Sequence, residues 1–160
     1  MSKLILTVGI PGSGKSTWSQ QYIRENLNTV RVNSDRLREM LFAYNPYRIK
    51  EYWSDSNLQD RESIVRKLVR DMASNLLSKG HDVIIDAMNL DKTVIIKMKA
   101  VAELNQASVL IREFNTPLDT CIRRDQQRER HVGKIYIIKK QEQFRELKGT
   151  DFYTSLTLLN

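Results

Sequence analysis

Hydrophobic positions follow two rhythms along this chain. Short apolar runs read as four buried strands: Lys3–Val8 (KLILTV), then NTVRV at 28–32, HDVIIDA at 81–87 and ASVLIREF at 107–114. Helix-spaced apolar positions fill the intervals. They predict helices at Lys15–Glu25, with Trp18 and Tyr22 four apart on one side, and at about 36–43. A third spans 60–78, with Ile64, Val65, Leu68, Val69, Met72 and Leu76 as its apolar face, and is stopped by Gly80. A fourth covers 91–104, with Val94, Ile95, Met98, Val101 and Ala102 inward and Asn89 or Asp91 as the cap. Two more follow Pro117, at about 118–129 and 135–147, and the closing GTDFYTSLTLLN has only weak periodicity, as a short terminal extension would.

Strands alternating with helices predict an α/β fold. The sheet is expected to be open, doubly wound and mainly parallel, of about four strands, with helices on both faces. Ligands of such sheets bind at the carboxyl ends of the strands.

Composition narrows this picture. A chain of 160 residues, 41% hydrophobic and 28% charged, suits one compact domain over 1–160. No apolar stretch approaches the roughly 20 residues that cross a bilayer, and MSKLILTV has no small-residue cleavage site, so no signal peptide is expected. Cys121 is the only cysteine, which excludes an intramolecular disulfide and points to a reducing compartment, the cytoplasm. Lys and Arg outnumber Asp and Glu by 26 to 19, giving +7. That balance favours a polyanionic partner or serves solubility alone.

The sharpest signal is GIPGSGKSTW, residues 9–18, between the first strand and the first helix. Gly9-x-x-x-x-Gly14-Lys15-Ser16 fits the nucleotide-binding P-loop: Gly9, Pro11, Gly12, Ser13 and Gly14 curl the backbone around phosphate oxygens. Lys15 reaches the outer phosphates, Ser16 is a Mg²⁺ ligand, and Thr17 continues the cradle into the helix. Bound ATP and Mg²⁺ are therefore expected.

Phosphoryl transfer also needs an aligned acceptor. Asp35, at the end of the second strand, can accept a hydroxyl proton, and Arg38, three residues on, can hold an anionic part of the acceptor; the plainer reading makes Ser34 or Asp35 a helix cap. Asp86 ends the apolar VIID and suits a magnesium-holding acid, or a strand-end turn. Arg123, Arg124, Arg128 and Arg130 sit on or near one helix, with Arg124 and Arg128 sharing a face, as a lid over 118–147 or as a salt-bridged surface. Residues 44–53 interleave Tyr44, Tyr47, Tyr52 and Trp53 with Arg48 and Lys50, a pattern for stacking unpaired bases or for packing the core. His81 and His131 have no evident metal partner.

Four stretches, LILTVGIPGSGKSTW, VNSDRLREM, VIIDAMNL and PLDTCIRRDQQR, resemble in order and spacing the kinase domain of bacteriophage-type polynucleotide 5′-hydroxyl kinases, over about residues 4–143. The resemblance implies that ATP donates its γ-phosphate to the 5′-hydroxyl end of DNA or RNA. It also implies that Asp35 is the general base, Arg38 the substrate-phosphate contact, and Arg124 and Arg128 the lid arginines. Asp86 sits one residue early relative to the following Asn-Leu. No Asp-x-Asp-x-Thr-like phosphatase motif occurs before Asn160, so a kinase-only protein is expected, in the host cytoplasm if its source is viral. A small-molecule kinase and a non-catalytic, nucleotide-gated nucleic-acid binding module are the alternatives.

Overall fold

The computed structural model describes residues 1–42, 54, 56–129 and 131–159; the aromatic and basic segment 44–53 and Arg130 lie outside the described residues. Four strands, β1 (Lys3–Val8), β2 (Thr29–Asn33), β3 (Asp82–Asp86) and β4 (Ser108–Glu113), form one parallel sheet in the order β2-β3-β1-β4. All of β1 after Lys3 is buried, which explains its unbroken apolar run. Seven helices accompany them among the described residues: α1 (Lys15–Glu25), α2 (Ser34–Phe42), α3 (Leu58–Ser78), α4 (Lys92–Leu104), α5 (Leu118–Gln126), α6 (Lys134–Lys148) and α7 (Asp151–Thr154).

From β1 the chain crosses through α1 to β2, then winds back to β3 and on past β1 to β4. Right-handed crossovers with that reversal put α1 on one face and α3 and α4 on the other. Accordingly α1 packs on β2 and β3, α3 on β3 and β2, and α4 on β4 and β1. The winding reverses beside β1, which opens a crevice at its carboxyl end.

Several elements depart from the expected pattern. α3 buries Glu62, Val65, Val69, Ala73 and Leu77, whereas Ile64 and Met72 are 47% and 38% exposed. The stripe that meets the sheet and α4 is narrower than the run of apolar positions, so its outermost members stay outside. α5 ends at Gln126 rather than 129, because the buried Asp125 carboxylate accepts hydrogen bonds from the Val132 N–H (3.1 Å) and Gly133 N–H (3.0 Å) and turns the chain. The closing stretch is packed rather than loose. Thr150 caps α7, Tyr153 and Leu156 are buried, and Leu158 bridges in parallel to Ile111. Glu113 ties these parts together, accepting from Tyr153 Oη and Lys148 Nζ at 2.7 Å each. Burial pushes its carboxyl up, but these hydrogen bonds and that of Asn115 outweigh it and hold Glu113 below the usual range.

Candidate active site

Between β1 and α1, residues 9–14 make the tight turn that the glycines announce. Gly12 (φ 82°) and Gly14 (φ 100°) lie in the left-handed region, and a Cβ on Gly12 would stand 2.5 Å from the Cys121 carbonyl oxygen. The loop's carbonyls are tied back into the protein: Thr116 Oγ1 donates to Ser13 O (2.9 Å) and Arg124 Nη1 to Gly12 O (3.3 Å). Asn89 fixes the approach, donating from Nδ2 to Thr7 O at 2.7 Å, while Asp91 caps α4. Gly14, at the start of α1, has no side chain to cap the helix, whose first N–H groups lack intrahelical acceptors. An anion fits there.

Lys15 is buried, and its ammonium donates to Ile10 O (2.6 Å) and Ser13 Oγ (3.3 Å). Burial lowers its pKa to about 8, against the pull of the Asp86 carboxylate. Among the described residues no carboxylate pairs with it directly, so a phosphate oxygen would satisfy it better than the loop carbonyl does.

Asp86 is 2% exposed at the end of β3. Its Oδ2 accepts from Arg31 Nε (2.8 Å), Arg31 Nη2 (2.5 Å) and Asn33 Nδ2 (2.9 Å), and its Oδ1 from Ser16 Oγ (3.2 Å). The hydroxyl and carboxylate named as metal ligands thus meet each other. No cluster of three or more His, Cys, Asp or Glu occurs among the described residues. A Mg²⁺ held by Ser16, by Asp86 directly or through water, and by ligand phosphates needs no such cage.

Asn33 also settles what caps α2: its Oδ1 accepts from Arg36 N at 2.9 Å, so neither Ser34 nor Asp35 fills that place. Asp35, half exposed, accepts from Arg38 Nη1 (2.9 Å) through Oδ1. Arg38 is in turn gripped by Glu62, with Nε–Oε1 2.7 Å and Nη2–Oε2 2.8 Å. Sequence reasoning missed Glu62, although its place three and seven residues before Val65 and Val69 puts a carboxylate on the buried stripe. It also missed Arg31 and Asp125.

Arg124 reaches the loop from α5, whereas Arg128 lies beyond the helix end, its Nη2 donating to Asp125 Oδ1 at 3.0 Å. The two do not share a helical face as expected, yet both line one open cavity. Pro11, Gly12, Ser13, Gly14, Lys15, Ser16, Thr17, Asp35, Arg38 and Asp86 line it too, as do residues 131–136. Gly9 lies behind, with Phe114 and Ser13 at 3.0 Å from where its Cβ would be. Cys121 stands under the loop, and burial raises its thiol pKa. His81 takes no part in the cavity, and its Nδ1 is buried without a partner.

A parallel sheet wound in this order, with a glycine loop and helix after a central strand, defines a kinase-type P-loop domain. The chain belongs to the AAA domain family, whose model matches residues 4–149. Its likeness to polynucleotide kinase domains recurs among individual proteins. Over 156 residues it is 24% identical to an Autographa californica nuclear polyhedrosis virus protein named for bifunctional polynucleotide kinase/RNA ligase, covering 94% of this chain and 22% of that one. It is similar, with a TM-score of 0.76 and 30% identity, to a chain in the structure of the Pnkp1/Rnl/Hen1 RNA repair complex, covering 94% of this chain and 47% of that chain. The APS kinase CysC of Mycobacterium tuberculosis, solved with AMPPNP and APS, shares the fold at TM-score 0.60 and 22% identity, over 79% of this chain and 69% of that one. The chain spans under half of the length of the first two relatives. Among the described residues no helix is long and apolar enough to cross a membrane.

Proposed function

We propose that the protein is an ATP-dependent kinase that phosphorylates 5′-hydroxyl ends of DNA or RNA. The observation that carries this reading is one cavity lined both by the P-loop and by Asp35 and Arg38, the latter gripped from outside the cavity by Glu62: a loop suited to phosphates and a carboxylate able to take a proton open into the same space. Asp35 accepts the proton of the acceptor hydroxyl, whose oxygen forms a bond to the γ-phosphorus. The bond from that phosphorus to the β–γ bridging oxygen breaks, and ADP leaves. Lys15 and the amides opening α1 hold the outer phosphates. Arg38, kept in place by Glu62, receives an anionic part of the acceptor. Arg124 and Arg128, on a lid formed by residues 118–147 of a single domain, neutralise charge as it moves toward the leaving group. Mg²⁺, when bound at Ser16 and Asp86, neutralises the β- and γ-phosphate oxygens.

A polymer acceptor is favoured by the excess of 26 basic over 19 acidic residues and by relatives named for polynucleotide kinase and RNA repair. The test is transfer of labelled γ-phosphate to a 5′-hydroxyl oligonucleotide, compared with free nucleosides and sugars. Transfer to the oligonucleotide is expected. Transfer to the small molecules alone, or to nothing while nucleotide still binds, would discard the reading.

A further inference from the structure

Three lysines outside the cavity are tied back toward its rim by a series of local contacts. Tyr136, on the cavity rim, has the Lys140 ammonium 5.2 Å from its ring centroid. Lys140 donates to Gln143 Oε1 (3.0 Å), and Gln143 Nε2 reaches Leu90 O (3.5 Å), two residues before Lys92. Lys92 and Lys99 both stand over the Phe152 ring, at 5.1 and 5.8 Å from its centroid. Seven apart on α4, these two lysines share one face, about 10 Å from end to end along the helix.

Stability alone gives little reason for this arrangement. Lys92 is the first residue of α4, where the positive end of the helix dipole disfavours a cation. Lys92 and Lys99 crowd one ring, and Lys139 stands next to Lys140 in sequence. Burial, with the Lys139 charge adding to it, lowers the Lys140 pKa. Among the described residues none of Lys92, Lys99 and Lys140 has a carboxylate partner, whereas Lys67 pairs with Asp71 and Lys148 with Glu113.

We propose that this ridge, from Tyr136 through Lys140 and Lys92 to Lys99, binds the phosphodiester backbone of a single-stranded nucleic acid whose 5′ end occupies the cavity. The inference rests on the polynucleotide reading above and deepens it: the cavity takes the terminal nucleotide, and the ridge takes the phosphates that follow. Ammonium groups without carboxylate partners suit a chain of phosphates, since each one neutralised releases a counterion.

Binding of a 3′-labelled single strand of about 12 nucleotides, followed by fluorescence anisotropy between about 50 and 200 mM salt, tests the ridge without requiring catalysis. Lys92→Ala/Lys99→Ala is compared with Lys79→Ala/Lys97→Ala, which removes two lysines off the ridge. The ridge variant is expected to bind about tenfold more weakly at low salt and to lose about 1.4 from the slope of log affinity against log salt, at about 0.7 per phosphate contact. The control pair and phosphorylation of a 5′-hydroxyl dinucleotide should be little changed. Wild-type affinity in the ridge variant, an equal loss in the control pair, or no binding by the wild type would each overturn the proposal. Ridge-dependent binding by a protein that phosphorylates only small molecules would instead overturn the 5′-end kinase reading and leave the ridge standing.

Discussion

Lys15 is a cation held where it is poorly solvated, and this gives nucleotide binding a pH signature. Its side chain leans on the Ile10 carbonyl, and burial lowers its pKa from 10.5 to about 8. A shift of that size corresponds to about 3 kcal/mol between the charged and neutral forms. A bound triphosphate restores the proton's hold. Above about pH 8 the free protein must therefore take up a proton in order to bind, and affinity should fall about tenfold from pH 7 to pH 9. Stability responds in the opposite direction. The unfolded chain keeps this proton up to 10.5, so between about 8 and 10.5 it binds more protons than the folded chain does. The ligand-free protein should gain about 1 kcal/mol by pH 9. The Cys121 thiol, its pKa raised by burial, stays protonated in the folded protein; it titrates from 9.0 when unfolded, which makes pH 9 the sensible upper limit. Phosphate's second ionisation, near pH 6, is largely complete below this window. Calorimetric titration with a non-hydrolysable ATP analogue and Mg²⁺, beside thermal unfolding of the free protein, reads both effects. In Lys15→Met, affinity should be weak and independent of pH. Constant wild-type affinity across the window, or the same decline in Lys15→Met, would refute the reasoning.

Other substitutions separate the remaining parts. Asp35→Asn should cut turnover by about 10²-fold or more with nucleotide affinity unchanged, as measured by single-turnover transfer and titration; near-normal turnover removes Asp35 as the base. Glu62→Gln keeps the shape but loosens the grip on Arg38, so the acceptor KM should rise several-fold while that for ATP stays put, with a stability loss of about 1–2 kcal/mol. Equal changes in both KM values would contradict the positioning role. Gly12→Ala forces a Cβ against the Cys121 carbonyl in a left-handed backbone, and should cost about 2 kcal/mol or more, lowering Tm by about 4–8 °C. An unchanged Tm would show that α5 does not press on the loop as described.

How far the sequence foretold the structure depends on how local each cause is. Lys3–Val8 and Lys15–Glu25 appear with the expected bounds, because an unbroken apolar run ends at glycines and a helix begins at once. The P-loop is likewise written in consecutive residues. What surrounds it is not. Arg38 and Glu62 are 24 residues apart, Arg31 and Asp86 55, and only the folded sheet and α3 bring them together. The alternative that makes Ser34 or Asp35 the cap of α2 gives way to Asn33, one or two residues earlier, because all three are competent caps and only the fold selects among them. Arg128 was placed on a helix that Asp125 ends early by bonding to amides seven and eight residues ahead. The tail reads only as a weakly periodic terminal extension, because a helix of four residues and a single bridge leave no periodic trace of its packing.

That tail has a bearing on how the molecule behaves among its own copies. β4 is an outermost strand, with main-chain groups on its far side that another chain could pair with. Ile111 instead accepts from Leu159 N at 2.7 Å and donates to Thr157 O at 2.9 Å, midway along the strand. Two hydrogen bonds there deny an intruding strand a continuous template, much as a latch needs only one point of closure. Removal of the residues after Ser155 should therefore increase self-association on concentration, visible by light scattering, while the phosphate loop, two strands from the far edge and one from this one, goes on binding nucleotide.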